Sequence, residues 1–209
     1  EMPQTREDRA IGEHDWHSQD YVAWWVGRDA GRDGERRERL QAMLAQAPFA
    51  REAEITVLDV GGGYGLVSEE VLRAFPRARV TLQDYSEPML AEARRRLAHH
   101  GEQIRTVLAD LLDPAWTGAV GGPFDFAVSA IAIHNLRDVQ AIAQCYRGIA
   151  RVLKPGVPFL DYDLFFDRIG GVEGHRRMLL EAGFARVLCL WQGRDSPAAT
   201  LAAYAAAAP

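Results

Sequence analysis

A set of side chains able to do chemistry recurs where strand-like patterns stop: Asp59, Asp84, Asp110, Ser129, His134, Asp161 and Asp163. In an open parallel sheet ligands sit outside the carboxyl ends of the strands, so these residues are candidates for one shared site. Asp59 is followed by Gly61-Gly62-Gly63-Tyr64-Gly65. A strand feeding a glycine-rich turn that opens a helix brings backbone N–H groups and the helix's positive end beside a ligand, and glycine admits the ligand without a Cβ in the way. Asp84, about 20 residues after the loop, suits bidentate bonding to a ribose diol. Asp110, one strand later, supplies the acceptor that an adenine amino group needs. Histidine is the usual base near neutral pH, and His134 follows the fourth strand pattern, which makes it the candidate base or substrate-orienting group. Asp161 and Asp163 share one side of their strand by alternation and are placed to orient a cationic or hydroxylated substrate.

The elements that must position these groups read as an alternation of strands and helices from residue 55 onward, which predicts a parallel sheet with helices on both faces. Strands are expected at 55–60, 79–83, 105–109, 124–129, 157–163 and 185–192. Between them a helix carries Val67, Val71, Leu72 and Phe75 on one stripe and stops at Pro76, and a second, opened by Ser86 and Pro88, aligns Met89, Ala93 and Leu97. The most regular helix pattern runs over 139–153 and ends at Lys154-Pro155-Gly156. A short helix is expected at about 175–182. Alanine propensity would make 198–208 a helix.

Residues 1–50 read as mostly helical, with three of the five tryptophans, Trp16, Trp24 and Trp25, close to Tyr21. Aromatic stripes usually mean burial. Here they also suit a lid with an apolar inner wall, since only 164–174 separates the fifth strand from the next helix and leaves no room for an inserted substrate domain. Trp16, His17, Tyr21 and Trp25 are therefore candidate substrate contacts. His14, His17 and Asp20 could share a helix face, but no partner ligand is near in sequence and no metal site is expected. Asp161-x-Asp163-x-Phe165-Phe166 is not a calcium loop, because it lacks the ligand and glycine that loop requires.

Glycine loops of this kind also serve dinucleotides. The dinucleotide fingerprint read from Gly61 needs a small residue at position 66, where Leu66 stands, which counts against a nicotinamide oxidoreductase. The pieces Val57-Leu58-Asp59-Val60-Gly61-Gly62-Gly63-Tyr64-Gly65, Asp84-Tyr85-Ser86-Glu87-Pro88-Met89-Leu90, Ala109-Asp110, Phe124-Asp125 through Ser129 to His134-Asn135-Leu136, Val152-Leu153-Lys154-Pro155-Gly156 and Leu180-Glu181-Ala182-Gly183-Phe184 occur in order. Over about residues 55–205 the chain resembles the class I S-adenosylmethionine-dependent methyltransferases. Two positions depart from the usual pattern: Gly62, where the family often has Cys or Ser, and Val157, where a second Gly often follows Gly156.

The resemblance implies an α/β, Rossmann-like class I methyltransferase fold: a seven-stranded, mostly parallel sheet, helices on both faces and an N-terminal helical cap. The first half of 198–208 becomes a seventh strand on that pattern alone. The implied domains are a cap or lid at 1–50 and an S-adenosylmethionine-binding core at 51–209. Gly61, Gly63 and Gly65 would take the methionyl part, Asp84 the ribose and Asp110 the adenine, with Tyr85 against the ring and Asp59 supporting the loop. Met89, Leu111 and Ser129 complete the implied cofactor set. The expected reaction is in-line methyl transfer to an O or N nucleophile of a small molecule, leaving S-adenosylhomocysteine.

Composition narrows the alternatives. The 209 residues carry 24 Lys plus Arg, 29 Asp plus Glu and a net charge of −5, the mark of one globular domain with no broad phosphate-binding face. The run 28–39 pairs five Arg with four acids, as a solvated helix face does. An RNA-modifying methyltransferase would need a basic collar that these residues do not predict, and nucleic acid is not an expected partner. A non-catalytic cofactor-binding protein is the other alternative. Cys145 and Cys189 lie far apart in apolar segments and read as reduced thiols. Without an apolar run of membrane-spanning length or a signal-type start, the expected location is cytoplasmic. The charge and size allow a homodimer, and Lys154 as the one Lys suggests a GC-rich bacterial source.

Overall fold

The computed structural model describes residues 14–29, 31 and 33–207; residues 1–13 of the expected cap and 208–209 lie outside that range. Seven strands, β1 (Thr56–Val60), β2 (Arg79–Asp84), β3 (Ile104–Leu108), β4 (Phe126–Ala130), β5 (Pro158–Leu164), β6 (Phe184–Gln192) and β7 (Ala198–Ala205), form one sheet in the order β3-β2-β1-β4-β5-β7-β6. The first five run parallel, and β7 lies antiparallel between β5 and β6. Strand order reverses between β1 and β4, the place where ligands bind in such sheets.

Buried parallel strands must be apolar on both faces. On one face Leu58, Val60, Ala127 and Phe159 meet α5 (Trp116–Val120), α6 (Val139–Val152) and α7 (Gly171–Glu181). On the other, Val57, Phe126, Val128 and Leu160 meet α2 (Asp33–Leu44) and α3 (Leu66–Ala74). There α4 (Glu87–Arg96) covers Leu82, and α1 (Gln19–Asp29) joins the same layer. Fully burying one large side chain such as Phe126 or Phe159 is worth about 1.5–3 kcal/mol.

Local chemistry sets the boundaries. Ser86 caps α4, its hydroxyl accepting from Met89 N–H at 3.1 Å, and Asp138 caps α6 through Ala141 N–H at 2.8 Å. The helix expected at 175–182 begins earlier, at Gly171, because Gly170 supplies a left-handed turn at φ 104°. The short helix α5 was not expected. The N-terminal helices are tied down by charge, with Arg37 on α2 bonding both Glu69 and Glu70 of α3.

Candidate functional site

A cavity of about 840 Å³ opens at the carboxyl ends of β1, β2, β4 and β5, beneath the N-terminal segment. That is the size range of small-ligand and cofactor sites. The sequence candidates Gly61, Gly63, Asp84, Tyr85, Met89, Asp110, Leu111, His134, Trp16 and Trp25 line it.

The glycine loop is locked from behind. Gly61 N–H donates to Gln83 Oε1 at 3.0 Å and Gly63 N–H to Asp84 Oδ2 at 2.9 Å. These N–H groups are therefore spent within the protein, contrary to the expectation that they face the ligand. What Gly63 offers is bare backbone: at φ 52° it is left-handed, and a Cβ added there would meet nothing closer than Met89 Sδ at 3.9 Å. Gly62, by contrast, is wedged, since its Cβ would stand 2.6 Å from Leu82 Cγ and 2.9 Å from Asp59 Cγ. The glycine where relatives often carry Cys or Ser thus follows from the crowding by Leu82. Gly65 does not line the cavity; at φ 88° it starts α3 and packs against Leu97.

Asp84 sits at the cavity with Oδ1 accepting from Ser86 N–H at 2.9 Å, and burial holds its carboxyl above the usual range. Asp110 is exposed at the rim, with Oδ1 taking Leu112 N–H at 2.9 Å. Asp59 lies behind the loop, fully buried, with Ser68 Oγ donating to Oδ2 at 2.6 Å. Burial pushes its carboxyl up to about 7, and Oδ1 finds no partner among the described residues. It supports the loop rather than reaching the cavity. Gln83 escaped the sequence reading although it carries the loop, bonding Gly61 on one side and Ala109 O at 2.6 Å on the other. Its signal was a polar side chain in a buried strand.

His134 stands on the short turn Ile133–Leu136 after β4, oriented by Asp163: Nδ1 lies 2.5 Å from Oδ1, and its backbone N–H donates to Oδ2 at 2.9 Å. The carboxylate fixes the ring through Nδ1, the arrangement by which an acid sets a histidine's tautomer. Just before it, Ile131 adopts φ 53°, a left-handed conformation costly for a β-branched residue and the kind of strain found at functional sites.

Three expected contacts are corrected here. Asp161 and Asp163 do share a side of β5, but it is the side covered by α6 and α7, and both are buried outside the cavity lining. Asp161 meets Tyr146 OH at 3.4 Å, and that hydroxyl also bonds His175 Nδ1 at 2.6 Å. The alternate residue, Tyr162, is the one that lines the cavity. Ser129, opposite Asp161 in the register, is equally buried and donates to Val60 O at 2.9 Å.

Over the cavity, Trp16 and Trp25 meet edge to face at 5.2 Å, and Trp25 reaches Tyr64 at 5.8 Å. Tyr21 stands behind Trp16 at 5.3 Å and bonds His14, while exposed His17 packs on Tyr85 from outside; neither Tyr21 nor His17 lines the cavity. Trp24 is exposed beneath the Arg28 guanidinium. Arg28, Arg36 and Arg137 also line the cavity, and the sequence did not single them out.

Residues 57–156, just under half of the chain, match the family described as a methyltransferase domain. The chain is 46% identical over 94 residues to the release factor glutamine methyltransferase of Chlorobaculum tepidum, covering 44% of this chain and 32% of that protein. It is 35% identical over 128 residues to the trans-aconitate 2-methyltransferase of Rhodopseudomonas palustris, covering 61% and 44%. The matches thus span a third to under half the length of these relatives. An O-methyltransferase family protein from Burkholderia thailandensis superposes with a TM-score of 0.71 over 98% of this chain and 64% of that one, at 19% identity, a likeness of fold. The chain is thus similar to methyltransferases over the core strands and the glycine loop, and its fold is the Rossmann-like α/β fold of such enzymes. No helix among the described residues is long and apolar enough to cross a membrane.

Proposed function

We propose that this protein transfers a methyl group from S-adenosylmethionine to an O or N nucleophile of a small molecule, with His134 as the base. The observation that carries the reading is the His134–Asp163 pair, whose Nδ1 contact leaves Nε2 as the ring atom free to take a proton at the cavity. The residues fit the cofactor: bare Gly63, buried Asp84 at the cavity for the ribose hydroxyls, Asp110 for the adenine amino group, and Tyr85, Met89 and Leu111 along the adenine. Bound there, the cofactor supplies an activated methyl on a sulfonium. The chain's own work is to align the acceptor, exclude water and accept a proton. Trp16 and Trp25 serve as the apolar wall of a cap formed by the N-terminal helices, which sets the residues before β1 apart as a lid on the core.

Calorimetric titration with S-adenosylhomocysteine tests the cofactor half. Binding weakened tenfold or more in Asp84→Ala is expected, and the absence of binding to the wild type would overturn it. Transfer of labelled methyl to a panel of hydroxyl and amine acceptors, lost in His134→Gln while S-adenosylhomocysteine still binds, tests the second half.

A further inference from the structure

The cavity is lined by charges of both signs. Burial and then the carboxylates of Asp84, Asp110 and Asp15 push the Tyr85 phenol up to about 12, against the opposing field of Arg137. Burial and then the positive fields of Arg137, His134 and Arg28 push the His14 imidazole down. Ribose and adenine account for Asp84 and Asp110 in the proposed reading. The methyl-transfer reading leaves Arg28 and Arg137 without a role, although Arg137 directly follows the turn that carries His134.

On the outer surface some arginines hold carboxylates, as Arg37, Arg77, Arg94, Arg95 and Arg176 do, and others lie without one among the described residues. What distinguishes Arg28 and Arg137 is their place: both line the cavity with no carboxylate of the described residues within ion-pair distance, Arg28 at its rim where its guanidinium also stacks on Trp24. Arg137 is held there by a left-handed backbone, φ 57°, directly after the turn that carries His134. Converging guanidinium groups favour an anion, through charge-assisted and bidentate hydrogen bonds. A phosphate would be expected to use the glycine-loop N–H groups, but Gln83 and Asp84 consume those of Gly61 and Gly63. The sole lysine, Lys154, is engaged elsewhere by Asp125. What remains suits a planar carboxylate. The walls beside it, Trp16, Trp25 and Tyr162, suit a flat apolar body.

Resting on the methyltransferase reading, we infer that the acceptor is a small organic acid: a flat, apolar hydroxy or amino compound whose carboxylate is held by Arg28 and Arg137 while its nucleophile faces His134.

The test is calorimetry of the full chain, with and without saturating S-adenosylhomocysteine, against matched probes on one- and two-ring bodies: 4-hydroxycinnamate and 6-hydroxy-2-naphthoate, their amides, 4-hydroxyphenethylamine and 4-hydroxyphenyl phosphate. The acids should bind at least tenfold more tightly than their amides and more tightly than the amine or the phosphate, and the margin should shrink with added salt. In the Arg28→Gln/Arg137→Gln double variant the margin should fall to within twofold; Arg39→Gln, which removes a guanidinium stacked on Trp191, should leave it intact. Equal binding of acid and amide, preference for the amine or phosphate, survival of the margin in the double variant, or no binding by either acid would overturn the proposal. An acid preference in a chain that does not bind S-adenosylhomocysteine would sink the methyltransferase reading and leave the anion site standing; the converse result would do the opposite.

Discussion

The Ser86 hydroxyl donates to the Trp16 carbonyl while it accepts from Met89 N–H, so one side chain both caps α4 and latches the N-terminal segment over the cavity. Its own N–H bonds Asp84, which places the latch one residue contact from the proposed ribose site. Ser86→Ala should cost about 1 kcal/mol from the lost cap, lowering Tm by about 2–4 °C. It should also speed S-adenosylhomocysteine release severalfold. Stopped-flow dissociation beside a thermal melt separates the two effects; an unchanged release rate would show that the latch does not restrain the ligand.

Adjacent glycines should respond in different ways to the same methyl group. Gly62→Ala drives a Cβ into Leu82 and Asp59, an overpacking error of about 1–3 kcal/mol that denaturant unfolding reads directly. Gly63→Ala meets no such wall and pays chiefly the left-handed backbone penalty, about 1–2 kcal/mol. Its larger effect should be on cofactor affinity, because the added methyl occupies the bare surface.

Asp163→Asn replaces the acceptor that fixes His134 Nδ1. With His134 as base, kcat should fall about a hundredfold or more while S-adenosylhomocysteine binds as before. Because Asp163 is buried, a melt of the same variant shows whether the fold survived. A kcat within a factor of two of wild type would rule out the pair's catalytic role.

Stability should fall on acidification. Burial pushes the His175 imidazole from 6.5 down to about 4, so the unfolded chain takes up its proton first. The stability this provides is complete above pH 6.5 and is lost as pH falls toward 4, by up to about 3 kcal/mol. Urea titrations at pH 7 and 4.5 should show the loss in the wild type and a smaller one in His175→Gln, which keeps an acceptor for Tyr146.

Asp59 has the opposite sign. Its carboxyl is raised from 3.8 to about 7, so its contribution is present at low pH and is lost as pH rises through 7. Relative to the wild type, Asp59→Asn should therefore gain stability between pH 5 and 8, and parallel pH profiles would contradict the buried-acid assignment.

The first five strands and the loop between β1 and α3 were legible because apolar runs, glycines and caps act locally. The last strand was legible only through the family resemblance, not from its own residues. Eight residues rich in alanine prefer a helix, but here they fill the slot between β5 and β6, where strand pairing and burial outweigh propensity. Alternation correctly put Asp161 and Asp163 on one side of β5 but could not say that α6 and α7 cover that side. Arg28 and Arg137 were invisible for a related reason: only the folded cap and the positive φ after His134 aim them inward.

The place of β7 also bears on how the chain must be made. β5 and β6 do not pair with each other; each pairs with β7, which follows both in the sequence. A nascent chain that has emerged only as far as β6 therefore presents β5 as an open, buried-type edge with nothing to zip onto it. An unpaired edge of this kind invites association with other chains. The sheet closes only when the alanine strand arrives, so its delivery from the ribosome sets the moment at which the protein stops being sticky.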